Sequence, residues 1–232
     1  MEENSQGDEA NNPRETFAIK DSALIAIATG RRAHDLREFR DHLFAVEPDS
    51  IYYHFWGHLL RPNFESPDFN NDFAVWAKHA LHDLTLAERL GVLDPTDFEN
   101  LDALRAAVID IVEERIDECE NLPYARRGDS FHFIRGQLVI FDTLSRAECP
   151  EDLVDLVPRL SLGSVFYHII EARYRKPRRL NDFAVWIRDR GERYEALEKE
   201  LEGIDPYFIS LQSLRTRVAD TLRKHLGEGG AK

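Results

Sequence analysis

Cysteine is scarce in this chain, and long apolar runs are missing. Two cysteines, Cys119 and Cys149, lie far apart without CxxC spacing, so the 232 residues predict neither a disulfide framework nor a zinc ribbon. Charges interrupt every apolar segment well before the roughly 20 residues that a membrane span requires. The N-terminal stretch, MEENSQGDEANNPRE, is acidic and polar and has no apolar signal-peptide core. We therefore expect a cytoplasmic protein that binds no membrane.

Excess positive charge and familiar catalytic motifs are also lacking. The formal net charge is −13, which argues against nucleic-acid binding because phosphate contacts require clustered lysine and arginine. Acidic residues outnumber basic ones up to residue 120, whereas the rest of the chain is nearly balanced, so an anion-binding surface is expected in the second half. The sequence contains no P-loop, GxGxxG or nucleophile elbow. Whether the protein is an enzyme stays open.

The chain does contain an internal repeat. The letters NDFAVW at 71–76 recur at 181–186, and SIYYHF at 50–55 recurs as SVFYHI at 164–169. Ordered matches at a nearly constant spacing indicate the duplication of a domain-sized unit. The predicted organisation is a disordered acidic tail (1–16), a first unit (17–119), a linker (120–130), a second unit (131–226) and a disordered tail (227–232).

Each unit is predicted to be helical, because apolar residues recur at helical spacing along most of its segments. The predicted helices are 17–29, 35–46, 50–61, 71–91, 100–119, 131–144, 151–160, 164–175, 181–202 and 210–226. The first segment of each unit could instead be a strand, since FHFIRGQLVIFDTL is rich in β-branched and aromatic residues. One assignment must serve both counterparts, and we assign helix. The expected fold is all-α, with two pseudo-symmetric units of about five helices each.

Both units keep a histidine on a largely apolar helix. A buried imidazole needs a hydrogen-bond partner, because leaving it without one costs about 1–3 kcal/mol. The acid kept at matching positions is Asp72 in the first unit and Asp182 in the second. We therefore predict that His54 pairs with Asp72 or the neighbouring backbone, and that His168 pairs with Asp182.

The first unit also carries histidines that the second lacks. His58 follows His54 by four residues, and His79 precedes His82 by three, so each pair would share one face of a helix. If the two helices pack antiparallel, the four imidazoles could hold Zn²⁺ or Fe²⁺. Without this site, no cofactor is expected.

The second unit has a basic segment of its own between two predicted helices. Its five basic residues are Arg173, Arg175, Lys176, Arg178 and Arg179. Arginine suits phosphate or carboxylate groups, so the basic segment is a candidate site for an anionic small molecule or an acidic protein surface. Charge runs are also often simply solvated.

The repeated motifs carry a resemblance. The stretches ATGRRAHDLREFRDHL, SIYYHFWGHLLRP and NDFAVWAKHAL, with the second copy SVFYHIIEAR and NDFAVW, resemble a family of uncharacterised bacterial proteins, a domain of unknown function. The likeness covers roughly residues 17–226 and implies a soluble protein with a duplicated architecture. It brings no activity or site residue.

The expected function is non-enzymatic binding or regulation, with a protein partner or an anionic small molecule as ligand. The alternative is a metal-dependent enzyme that uses the four histidines of the first unit. A third interpretation is a purely structural part of a homo-oligomer.

Overall fold

The fold combines helices with a long two-stranded antiparallel sheet. The computed structural model describes residues 16–60, 69–175 and 180–227. The all-α prediction is therefore wrong. The segments 17–29 and 131–144, assigned to helices, belong instead to strands β1 (Phe17–Ala33) and β2 (Phe131–Ala147). Apart from their innermost residues, the predicted disordered tails lie outside the described residues.

Helices occupy most of the remaining described residues. The α-helices are α1 (Leu36–Ala45), α2 (Pro48–Trp56), α3 (Asp72–His79), α4 (Leu84–Gly91), α5 (Leu101–Glu118), α6 (Leu153–Leu156), α7 (Leu162–Val165), α8 (Ala172–Arg175), α9 (Asp182–Arg188), α10 (Glu195–Glu202) and α11 (Leu211–Leu226). A π-helix, Phe166–Glu171, joins α7 to α8. Short 3₁₀ helices are Gly57–Leu60, Pro95–Asp97, Pro150–Asp152, Val157–Arg159 and Glu192–Tyr194.

The two strands pair in a reciprocal register. Phe17 lies opposite Ala147, and Ala33 lies opposite Phe131, so each strand begins where the other ends. The hydroxyl of Thr29 donates to the carbonyl of Phe133 at 2.6 Å, and that of Thr143 donates to the carbonyl of Ile19 at 2.6 Å. The sheet therefore joins two segments that are remote in sequence, each using the other to satisfy its backbone.

Each strand packs against the helices of the other half of the chain. The ring of Phe131 lies among Phe39, Phe73 and Trp76, with centroids 5.2, 5.4 and 5.5 Å away. Its counterpart, Phe17, lies 5.2 Å from Phe183 and 5.3 Å from Trp186. The core of each half is thus completed by a strand that belongs, in sequence, to the other unit.

The predicted helices 71–91 and 181–202 are both interrupted. Between α3 and α4, His82 has a left-handed backbone (φ 54°), and the buried Asp83 carboxylate accepts from the N–H of Leu86 at 3.0 Å. An aspartate that caps a new helix offers the backbone an alternative to helical continuation. Gly191 (φ 113°) makes the break between α9 and α10.

Leu144 occupies a strained position in β2 that offers a stability test. Its φ of 63° is left-handed, and its counterpart in the β1 bulge is Gly30, with φ 76°. Leu144 is 81% exposed, so removing its side chain sacrifices little packing. We expect Leu144→Gly to raise the free energy of unfolding by about 1 kcal/mol, as measured by urea denaturation. Gly30→Leu is the matched variant and should lower it; a loss of stability in Leu144→Gly would contradict this account.

Candidate functional site

His54 binds a strand to a helix and has both ring nitrogens occupied. Its Nδ1 lies 2.9 Å from Asp72 Oδ2, and its Nε2 lies 3.0 Å from the backbone nitrogen of Ile134 in β2. An amide N–H can only donate, so Nε2 must be the acceptor and the proton lies on Nδ1, which donates to the carboxylate. The imidazole is therefore neutral and structural.

His168 makes the equivalent contacts in the second half. Its Nδ1 lies 2.9 Å from Asp182 Oδ2, and its Nε2 accepts from the N–H of Lys20 in β1 at 3.0 Å. Burial raises the pKa of Asp182, but the hydrogen bond of His168 and the charge and hydrogen bond of the nearby Arg175 outweigh it, so this pKa lies below its ordinary value. We call the two arrangements the histidine clamps.

The structure does not assemble the four histidines of the first unit into a metal site. Among the described residues, no group of three or more His, Cys, Asp or Glu side chains is placed to hold a metal ion. The Nε2 of His54 is already bonded to the sheet. His79 and His82 were expected to be neighbours on one continuous helix, but α3 ends at His79 and the backbone turns left-handed at His82.

The described part of the basic segment is engaged within the protein. Arg173 donates to the carbonyl of Ile204 at 2.8 Å, and burial lowers its pKa. Arg175 lies 4.0 Å from the ring centroid of Tyr167 and donates to Asp182 at 2.9 Å. The other three basic residues, Lys176, Arg178 and Arg179, lie outside the described residues.

A cavity of about 280 Å³ lies between the sheet and helices from both halves of the chain. The sheet contributes Leu24, Gly136, Gln137 and Leu138. The helices contribute Asp49, Tyr52, Leu101, Glu171 and Tyr174. We call this space the central cavity. Because both sequence units contribute to it, an occupant would contact both.

Glu171 is the charged group set most deeply in this cavity. It is half-buried at the end of the π-helix, and its Oε2 accepts from the Tyr52 hydroxyl at 2.6 Å. Burial raises the pKa of Glu171, although the Tyr52 hydrogen bond and the charge of Arg175 oppose the shift. Burial also raises the pKa of Tyr52 well above its ordinary value, so the phenol keeps its proton and remains the donor.

Aromatic packing holds these groups in position. The rings of Tyr52 and Tyr174 are nearly perpendicular, with centroids 5.5 Å apart. The Tyr174 hydroxyl accepts from Trp56 Nε1 at 2.8 Å. Since π-helices are rare and frequently occur at functional sites, the segment that carries Glu171 is a further indication of a site here.

Sequence reasoning missed the central cavity as a site. At the spacing that relates SIYYHF to SVFYHI, the counterparts of Tyr52 and Glu171 are Phe166 and Gly57. The polar pair therefore has no counterpart at that spacing. The available signal was Glu171, a carboxylate inside the largely apolar run SVFYHIIEARY. It indicates a site only once the fold places Tyr52, from the first half of the chain, beside it.

A larger depression, about 470 Å³, lies along α11, at Gln212, Arg217 and Lys224. Its charged side chains are largely exposed, and Lys224 pairs with Glu200 at 2.7 Å. Exposed ion pairs of this kind are weak and solvated. The central cavity is the better candidate because its carboxyl group is partly withdrawn from water.

Within the described parts of the chain, no helix is long and apolar enough to cross a membrane. The structure of OrfY from Thermoproteus tenax is similar, with a TM-score of 0.77 and 25% sequence identity over 92% of this chain and 97% of that chain. Comparison with curated proteins gives no match. A model of a family of unknown function, DUF5752, matches residues 14–223, which confirms the resemblance to a family of this kind. The chain therefore belongs to the DUF5752 family of unknown function.

Proposed function

We propose that this protein is a binding protein that holds a small molecule in the central cavity. The observation that carries the proposal is Glu171, a half-buried carboxyl group with a raised pKa that faces a cavity formed by both halves of the chain. A titratable group perturbed by burial in a concave site is a functional candidate on physical grounds. An occupant would contact α2 from one half and the π-helix from the other, which suits a regulatory protein.

The energetic balance at Glu171 supports the same conclusion. A carboxyl group whose pKa is raised by burial destabilises the folded state whenever it is ionised. A glutamine there would keep an acceptor for Tyr52 without this cost. Groups that cost stability are typical of functional sites, where stability is exchanged for activity. Because the described arginines of the basic segment are engaged internally, we do not extend the proposal to an anion held there.

Glu171→Gln is expected to leave the free energy of unfolding at pH 7 unchanged or raise it by up to about 1 kcal/mol. The sign follows from the raised pKa: the wild-type protein loses stability as the pH rises from about 4.5, the ordinary value, through the folded pKa, and the variant does not. Urea denaturation at pH 4 and pH 7 would measure the difference. A large loss of stability at pH 7 would show that Glu171 is structural.

Glu151→Gln is the matched control. Glu151 accepts from the Tyr194 hydroxyl at 2.8 Å, so this substitution alters the same kind of bond away from the cavity. Burial raises the pKa of Glu151, but the hydrogen bond of Tyr194 and the charge of Arg193 contribute to a net lowering. Its ionised form therefore stabilises the fold, and Glu151→Gln should lower stability slightly at pH 7.

Binding itself is tested by two-dimensional NMR of the full chain. The amide signals of Gly136, Gln137 and Glu171 are expected to shift on titration with at least one of three small probes, namely n-butylammonium, butan-1-ol and butyrate. Glu171→Gln should change these responses, whereas Glu151→Gln should leave them as in the wild type. If none of the three probes moves the cavity amides, the proposal fails.

A further inference from the structure

We propose that the occupant of the central cavity is an organic cation, with an ammonium group beside Glu171 and an apolar body against the sheet. This inference rests on the proposed function and adds the chemical class of the ligand. It depends on the charges that line the cavity, the surroundings of Glu171 and the distribution of apolar surface.

The charges that line the cavity are of one sign. Its two ionisable carboxyl groups belong to Asp49 and Glu171, and none of the described lining residues is Lys, Arg or His. Asp49 is exposed in the first turn of α2, whereas Glu171 lies deeper. An entering cation would therefore meet one carboxylate at the rim and a second inside, which attracts cations and repels anions.

Among the described residues, no cationic side chain donates a hydrogen bond to Glu171. Its hydrogen bond comes from the Tyr52 phenol, which is neutral. Arg175, whose charge acts on Glu171 from α8, is within hydrogen-bond distance of Asp182 at 2.9 Å. The negative charge of Asp182, from α9, acts against that of Arg175 and raises the pKa of Glu171. A ligand cation would supply the charge-assisted hydrogen bond that this carboxylate is missing.

The rest of the lining suits an ammonium ion with a hydrocarbon body. Tyr52 and Tyr174 present aromatic surface, and cations are attracted to the faces of such rings. Leu24, Leu101 and Leu138 form an apolar wall. Burial of an alkyl chain against them would strengthen binding with each methylene group that leaves water.

The test uses three probes that share a four-carbon chain and differ in charge: n-butylammonium, butan-1-ol and butyrate. Each is titrated into the full chain, and dissociation constants are taken from the amide shifts of Gly136, Gln137 and Glu171. We expect n-butylammonium to bind at least about tenfold more tightly than butan-1-ol, and butyrate to bind most weakly. A charge-assisted hydrogen bond worth about 1.5 kcal/mol corresponds to that factor.

Glu171→Gln should abolish the preference for the cation without impairing the binding of butan-1-ol. Glu151→Gln should leave all three constants unchanged. In the wild type, the affinity for n-butylammonium should rise with pH as Glu171 loses its proton and then level off, whereas that for butan-1-ol should show no such rise.

Binding of butan-1-ol or butyrate as tightly as n-butylammonium would overturn the cation proposal and leave the binding site in place. An equal loss of cation affinity in both glutamine variants would also overturn it, because the effect would then be one of general surface charge. If no probe of any charge moved the cavity amides, the proposed function itself would fail, and the cation proposal with it.

Discussion

His168→Ala is expected to lower the free energy of unfolding by about 3–5 kcal/mol. The side chain is 2% exposed, and its loss removes both bonds of a histidine clamp. The Lys20 N–H would be left without its acceptor and the Asp182 carboxylate without the donor that helps to offset its burial. Leaving a buried N–H or carboxylate without its partner costs about 1–3 kcal/mol for each group, and the vacated volume adds to the loss. Urea denaturation at pH 7 measures it.

The counterpart His54→Ala should cost less. The Asp72 side chain is 23% exposed, compared with 8% for Asp182, so water can partly replace the lost imidazole. His132→Ala serves as a control, since His132 is exposed, and it should change stability by no more than about 0.5 kcal/mol. If His168→Ala behaved like His132→Ala, the clamps would have no energetic importance.

In the clamp of His168 and Asp182, the contribution of the carboxylate to stability can be measured by acid titration. Because the pKa of Asp182 lies below its ordinary value of 3.8, the ionised group stabilises the folded state. This contribution is fully present above about pH 3.8 and is lost as the pH falls through the folded pKa. The difference in stability between the wild type and Asp182→Asn should therefore shrink in that range. A difference that stayed constant down to the lowest pH would contradict the assignment.

The repeated NDFAVW motif correctly indicated contacts that form between residues close together in the chain. Asn71 and Asn181 cap their helices by accepting from Ala74 and Ala184, each at 2.9 Å, and both lie in the repeated NDFAVW motif. These two asparagines also donate to matching backbone carbonyls, those of Leu90 and Leu201. Such contacts depend on chain neighbours or on nearby helices, so the pattern within one unit indicates them.

The sheet was not predictable in the same way. The segment FAIKDSALIAIATG becomes a strand because β2, which lies far along the chain, satisfies its backbone and because Phe17 enters the core of the other half. The spacing of apolar residues within one segment does not indicate which distant segment will pair with it. The central cavity escaped prediction for a related reason, since Tyr52 and Glu171 meet only after the two halves are assembled.

Because each strand packs on the helices of the other half, we expect a second large effect, on the folding of fragments of the chain. A fragment of residues 34–147 should unfold cooperatively, whereas one of residues 1–125 should not. Both contain α1 to α5, but only the first includes β2, whose Phe131 and Phe133 are buried beside Phe39. The second carries β1 instead, whose Phe17 packs on the absent Phe183. Urea denaturation followed by circular dichroism and tryptophan fluorescence distinguishes the two outcomes.

Mixing supplies the control for this experiment. The fragments 1–125 and 126–232 together contain both strands and all the helices, so combining them should restore cooperative unfolding that neither shows alone. Disrupting a clamp in one fragment should then weaken recovery, because His54 in the first holds Ile134 in the second and Lys20 in the first is held by His168 in the second. Cooperative unfolding of 1–125 by itself would contradict this account. It would mean that the helices of the first half fold without the strand β2 from the second half. Failure of 34–147 to fold would instead show that a core completed by β2 still requires β1 beside it, since each strand is the other's partner in the two-stranded sheet.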